Sequence, residues 1–313
     1  MEMADQHIPV LLDEVLAFLE PERGGRYLDG TVGLAGHASA ILKRGASELL
    51  GLDRDEQALS LAAQRLAPFG ERVHLAHGLY ADFPTYLASL GWERVQGVLI
   101  DIGVSSMQID SAGRGFSFLH DGPLDMRMDG QSGPSAADLV NSASFVSLRD
   151  ILARFGEEPN AARIARAIVE KRNERPIVTT KELAELVERS YPKKWRETAR
   201  HHPATRTFQA LRMAVNDELG QLERFLETVL AYLEPDGRLC VITFHSLEDR
   251  LVKKTMQRWS RGCLCPPYVD HCVCGHRPEV RILSKKPVQA QASELLRNSR
   301  ARSAKLRAVA RLI

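Results

Sequence analysis

The sequence predicts an α/β protein in which a mostly parallel sheet is built from both ends of the chain, with a helical domain inserted between. Three observations carry this. Strands and helices alternate over the first hundred residues. A non-periodic stretch (110–135) then gives way to helical patterning over 147–200. Finally, strand patterning resumes at Arg238. Alternation of this kind argues for a parallel sheet with helices on its faces, and right-handed crossovers bring the strand ends to one edge.

In chain order, Arg26–Leu28 reads as a short buried strand running into a Gly-rich turn, and Ala38–Lys43 as the helix after it. Glu48–Leu52 is an apolar run ending in Asp53. Glu56–Leu66 is Ala- and Leu-rich and helical, Arg72–Ala76 alternates like a strand, and Val95–Ile102 is the most apolar run. Leu148–Phe155, Ala161–Arg172 and Lys181–Ser190 read as helices, the last with a Thr179–Thr180 start whose hydroxyl can cap first-turn amides. Phe208–Leu233 reads as one long helix closed by Pro235-Asp236-Gly237. Arg238–Phe244 follows as a strand, Leu247–Trp259 as a helix, and Val280–Leu283 and Leu306–Val309 as last strands. The expected division is 1–109 with 206–313 as one discontinuous domain, and 110–205 as the inserted, substrate-recognition domain.

Composition narrows the class. Of 313 residues, 44% are hydrophobic and 26% charged, as in a globular protein, and no apolar run reaches the roughly 20 residues that span a bilayer. Residues 1–9 lack the basic-then-apolar pattern of a signal peptide, so a cytoplasmic location is expected, without a disulfide scaffold. The net charge of +2 hides an asymmetry: residues 1–249 carry 27 Lys+Arg against 37 Asp+Glu, and residues 250–313 carry 15 against 3. A basic quarter on an acidic body is the footprint of polyanion binding.

Asp29-Gly30-Thr31-Val32-Gly33-Leu34-Ala35-Gly36-His37 follows a strand and opens a helix, and Asp53 lies 20 residues beyond Gly33 at the next strand end. Such a turn lets a ligand approach the backbone, and such a carboxylate can accept two hydrogen bonds from a ribose diol. Two cofactors share this geometry, a nicotinamide dinucleotide and S-adenosylmethionine. Asp29 would attract the cationic end of the second and repel the pyrophosphate of the first, which favours the methyl donor. Tyr80, just after the third strand, could cover an adenine or be a half-buried core residue. Asp101 ends the fourth strand, where it is either functional or a solvated strand end. No Pro-Pro-aromatic run follows it, so the target atom stays open on motif grounds.

Three further segments stand out. Arg200–Gln209 gathers cations, hydroxyls and Phe208 where the insertion rejoins the sheet, a composition suited to phosphates and an unpaired base or to a helix start. Ser246 reads as a helix N-cap with Asp249 three positions on, while His245 would face the ligand edge. Cys263, Cys265, Cys272 and Cys274, with His271 and His276 nearby, could hold zinc as a structural site or remain reduced thiols.

Together, Asp29-Gly30-Thr31 with Gly36-His37, Arg114–Phe118 with Gly122–Met128, His202–Gln209 and Phe244–Arg250 resemble the MraW (RsmH) family of bacterial ribosomal RNA small-subunit methyltransferases over nearly the whole chain. The resemblance implies a class I S-adenosylmethionine-dependent methyltransferase fold, Rossmann-like, with the inserted helical domain. It implies N4-methylation of a cytosine in the decoding centre of 16S rRNA, with the small ribosomal subunit as partner and neither membrane nor DNA. By position, the cofactor contacts it implies are Ala35, Gly36, His37, Asp53, Tyr80, Asp101 and Gln108; residue 35 is often Gly in the family. Asp101, Ser105 and Ser106 are the candidates to accept hydrogens from the target amine, and Arg206, Phe208, Arg300 and Arg302 are the candidate RNA contacts, with Arg297, Lys305 and Arg307 in the same basic segment. The family does not uniformly carry the Cys cluster, which argues against a catalytic metal and leaves a structural one open. The competing readings are an NAD-dependent dehydrogenase, which leaves the basic segment unexplained, and a non-catalytic RNA-binding assembly factor.

Overall fold

A computed structural model describes residues 8–103, 108, 111–130, 133–193, 202–266, 268 and 271–312. It forms two compact units, Met1–Gly103 with Gly220–Ile313 and Val104–Leu219. No helix among the described residues is long and apolar enough to cross a membrane.

The first unit is built on seven strands: β1 (Arg26–Asp29), β2 (Glu48–Asp53), β3 (Val73–His77), β4 (Val95–Asp101), β5 (Leu233–Thr243), β6 (Val280–Ile282) and β7 (Lys305–Arg311), in the spatial order β3-β2-β1-β4-β5-β7-β6. The first five are parallel, while β7 runs antiparallel between β5 and β6. Strands covered on both faces need apolar residues in both phases of the pleat. Leu28, Leu50, Val98, Ile100 and Val241 fill the core on one face. Their neighbours Tyr27, Leu49, Leu99, Cys240 and Ile242 fill the other. The order reverses at β1, with β2 on one side and β4 on the other, so the carboxyl ends of β1 and β4 flank the switch point where such sheets bind ligands.

The second unit packs Leu148, Leu152, Ile164, Ile168, Leu183 and Val187 around Phe208 and Leu211. These come from the helices Phe145–Gly156, Ala161–Glu174, Thr180–Arg189 and Ala204–Val215. Thr179 caps the third of these by accepting from the Glu182 amide. The Arg114–Met128 signature folds against its own backbone. Arg114 donates to the Arg127 and Met128 carbonyls, and Gly115 (φ 71°) sits so close to the Pro123 carbonyl that a Cβ would lie 2.3 Å from it.

Three expectations are corrected. Phe208–Leu233 is not one helix. It breaks after Val215, because the Asn216 amide group donates to the Met126 and Arg212 carbonyls and accepts from the Met128 amide, and Asp217 turns left-handed (φ 47°). Pro235-Asp236-Gly237 is no helix stop but a register shift inside β5, with Asp236 at φ 57° and paired with Arg23 at 2.7 Å. The boundary expected at 205/206 moves to 219/220, since Ala204, Phe208, Ala210 and Leu211 belong to the helical core.

Candidate functional site

The carboxyl ends of β1, β2 and β4 bring three acids to one edge. Asp29 is 1% exposed, and its Oδ1 accepts the Thr31 amide at 3.1 Å. Asp53 accepts the Gly33 amide at 2.8 Å and the Asp55 amide at 2.9 Å. The Asp101 amide donates to the Thr31 hydroxyl at 2.7 Å, while the buried Asp101 Oδ1 has no hydrogen-bond partner among the described residues. The turn between β1 and its helix is stitched to both neighbours, with the Gly30 amide on the Leu99 carbonyl and the Val32 amide on the Leu52 carbonyl. Gly30 is required by close approach: a Cβ there would stand 2.4 Å from Ile100 Cδ1 and 2.9 Å from Tyr80 Cβ. Tyr80 therefore lies against the turn, its ring edge-on to Phe225 at 5.6 Å.

Electrostatics follow from this crowding. Burial, then the charge of Glu248, pushes the Asp101 carboxyl up to about 7. Burial does the same to Asp29, also to about 7, helped by the charges of Asp101 and Asp53 and opposed by the Thr31 amide. Burial raises Asp53 against the pull of the Asp55 and Gly33 amides. Such a floor suits a ligand that brings positive charge and hydrogen-bond donors, and it disfavours a pyrophosphate.

The helix Gly36–Arg44 starts beside these acids. Ala35 precedes it in the left-handed region (φ 59°) and offers its first turn no side-chain acceptor. The His37 ring is buried: Nε2 lies 2.9 Å from the Val10 carbonyl, and Nδ1 lies 3.9 Å from Asp101 Oδ2. The first of these nitrogens is occupied by the protein, so the ring holds Val10 and faces Asp101. Gln108 is buried within the second unit. Ser105 and Ser106 lie outside the described residues.

The candidate RNA contacts separate. Arg300 and Arg302 are exposed on the turn Ser299–Ser303. Arg206 is exposed but donates to the Glu157 carbonyl at 3.0 Å, closing the end of the helix Phe145–Gly156. Phe208 is corrected: it is 4% exposed and edge-on to Phe118 at 4.9 Å inside the helical core, so its ring is not offered to a base. Arg307 is corrected likewise, since it is 8% exposed and pairs with Asp249 at 2.7 Å. That pairing also occupies Asp249, so the helix after β5 is capped differently from expectation. His245 is the cap, accepting from the Glu248 amide, and Glu248 returns the bond to the His245 amide.

Sequence reasoning overlooked three contributors. Thr31 ties Asp101 to the turn. The buried Glu248 charges the Asp101 environment. The segment Ile8–Leu11 is a strap: Asn298 donates to the Ile8 carbonyl, the Leu11 amide donates to Glu294, and Pro9 crowds Gly36. Of these, Thr31, inside the Asp-Gly-Thr turn, and Glu248, inside the Phe244–Arg250 signature, left a local signal, and the strap left none.

The four clustered thiols converge, with all four sulfurs within 4.8 Å of one another.

The sequence model of the MraW methylase family matches residues 4–312. The chain belongs to this family. Relatives called ribosomal RNA small subunit methyltransferase H are 66% identical in Nitratidesulfovibrio vulgaris (96% of this chain, 94% of the relative), 62% in Desulfovibrio desulfuricans (98% and 94%) and 54% in Lawsonia intracellularis (98% and 99%). The sheet of this MraW-family protein is the Rossmann-like methyltransferase sheet, with a helical unit inserted after β4. Membership in a methylase family leaves the dehydrogenase and assembly-factor readings without support.

Proposed function

We propose that this MraW-family protein transfers the methyl group of S-adenosylmethionine to N4 of a cytosine in the decoding centre of 16S rRNA, in the cytoplasm. The observation that carries the cofactor assignment is the acidic edge at the switch point, where the buried Asp101 Oδ1 lacks a partner among the described residues. That acceptor set fits a ligand with a ribose diol, an ammonium and a sulfonium. When bound, S-adenosylmethionine supplies the electrophilic methyl.

The chain's residues then have distinct tasks. Asp53, held by two backbone amides, presents its carboxylate to the ribose hydroxyls. Ala35, Gly36 and His37 offer main-chain contacts at the helix start, and Tyr80 bounds the adenine side. Asp29 is too buried for contact and acts through its charge. A cytosine amine is a poor nucleophile because its lone pair is delocalised, so it needs acceptors for its hydrogens and an in-line position. Asp101 is the acceptor we assign, since a carboxyl poised near 7 can take a hydrogen bond or a proton at neutral pH. Ser105 and Ser106 are further candidates, and Gln108 completes the proposed cofactor contacts.

The inserted unit is proposed as the substrate-recognition domain. The exposed cations Arg297, Arg300 and Arg302 would neutralise phosphates while the target base is splayed from its stack. Labelled S-adenosylmethionine and small subunits lacking the modification test the whole reading. Label recovered as N4-methylcytidine is the expected result; no transfer, or label on another base atom, overturns it.

A further inference from the structure

The loop between the helix Ser246–Trp259 and β6 has little apolar cover of its own. Leu264 is 40%, Val273 82% and Tyr268 84% exposed. Its base is closed by the Glu279 amide on the Trp259 carbonyl at 2.7 Å. Its far end is gathered by sulfur. Cys263 Sγ lies 3.4 Å from Cys272 Sγ and 3.8 Å from Cys274 Sγ, and those two lie 3.6 Å apart. The four sulfurs are separate thiols, not disulfides.

Converging four thiols on an exposed loop costs loop entropy, and thiol–thiol contacts return little. Around a zinc ion with Zn–S bonds of roughly 2.3 Å, a tetrahedron of sulfurs has edges of about 3.8 Å, close to the spacing seen here. The backbone is arranged for thiolates as well. The Leu264 amide donates to Cys274 Sγ at 3.3 Å, and the Val273 amide donates to Cys265 Sγ at 3.4 Å. Each Cys-x-Cys turn thus gives its middle amide to the last sulfur of the other, a reciprocal arrangement that orients ligands and spreads their negative charge. Arg258, Arg261 and Arg277, all exposed, flank the loop in sequence and would offset the net charge of a zinc tetrathiolate.

We propose that Cys263, Cys265, Cys272 and Cys274 form a structural zinc site that fixes this loop, remote in chemistry from methyl transfer. His271 is not needed as a ligand, and His276 Nε2 lies 3.3 Å from the Arg258 carbonyl.

Protein purified without chelator, or stripped and refilled with zinc chloride under reducing conditions, is expected to hold about one zinc per chain by elemental analysis. Refilling with cobalt should give the visible absorption of a tetrahedral tetrathiolate, a readout that does not depend on any variant folding. With zinc bound, the four loop thiols should resist alkylation and react once the metal is chelated. Cys272→Ser with Cys274→Ser should abolish stoichiometric zinc, while Cys240→Ala, which removes the buried fifth thiol, should leave it unchanged. Absence of zinc after refilling, an octahedral cobalt spectrum, unchanged stoichiometry in the double variant, or disulfides in place of the four thiols would each overturn the proposal.

Discussion

Asp53 Oδ2 accepts the main-chain amide of Gly33 at 2.8 Å, which locks the end of β2 to the turn after β1. A residue expected to grip a ligand is thus itself gripped by the loop that would carry the rest of that ligand.

Asp53→Ala should therefore weaken S-adenosylmethionine binding by more than the loss of a ribose hydrogen bond alone. Hydrogen bonds to a charged group contribute about 1.5–3 kcal/mol each, so a drop of roughly ten- to a hundredfold in affinity is expected by titration calorimetry. Unchanged affinity would remove Asp53 from the site.

The acids at the switch point should make the ligand-free protein less stable as pH rises. Asp29 and Asp101 titrate near 7 when folded, against 3.8 for an ordinary aspartate. Between those values the native state holds more protons than the unfolded state, so stability falls with increasing pH and levels off above the folded values. Asp101→Asn should flatten part of that slope in chemical denaturation between about pH 5 and 8, a window that spans the folded titration. Cofactor binding should show the opposite trend and tighten as the carboxylates ionise. A stability slope that Asp101→Asn leaves unchanged would contradict this assignment.

Reversing charge at Arg300 and Arg302 should weaken RNA binding. The salt slope should become shallower by roughly 0.7–0.9 for every phosphate that is no longer neutralised. Arg307→Gln tests the contrast. It leaves Asp249 with Lys305 alone, at 3.5 Å, so the expected effect is a drop of roughly 1–3 kcal/mol in stability with no change of salt slope. An unchanged slope after charge reversal would take Arg300 and Arg302 out of the interface.

Phe208→Ala should act through folding. Removing a buried phenylalanine costs about 3–5 kcal/mol, to be read as a lower denaturation midpoint. A stable variant defective only in RNA binding would reverse the burial argument.

Ala35→Gly should be close to neutral. A left-handed non-glycine residue costs about 1–2 kcal/mol, and glycine removes that strain while giving up one buried methyl worth about 0.8 kcal/mol. Ala35→Val should destabilise clearly, and equal melting of all three proteins would show that the turn relaxes.

The sheet was legible because its strands are continuous apolar runs that end in Asp29, Asp53 and Asp101, each at a predictable place. The break at Asn216 was not, because it depends on side-chain bonds to Met126 and Met128, almost ninety residues away in sequence. Phe208 and Arg307 looked like surface residues by composition alone. Burial is a tertiary property, and neither motif spacing nor local charge reports it. The Ile8–Leu11 strap was invisible for the same reason: its partners Asn298 and Glu294 come from the opposite end of the sequence.

The placement of β7 bears on how the protein is made. Lys305–Arg311 emerges from the ribosome after every other strand, yet it takes an interior position, with β5 on one side and β6 on the other. During synthesis β5 must wait with one edge unpaired, exposed to mispairing with neighbouring nascent chains. The inserted helical unit, whose last residue is Leu219, has no such wait and can fold while translation continues. Slowing elongation late in the message should thus penalise the sheet and spare the insertion.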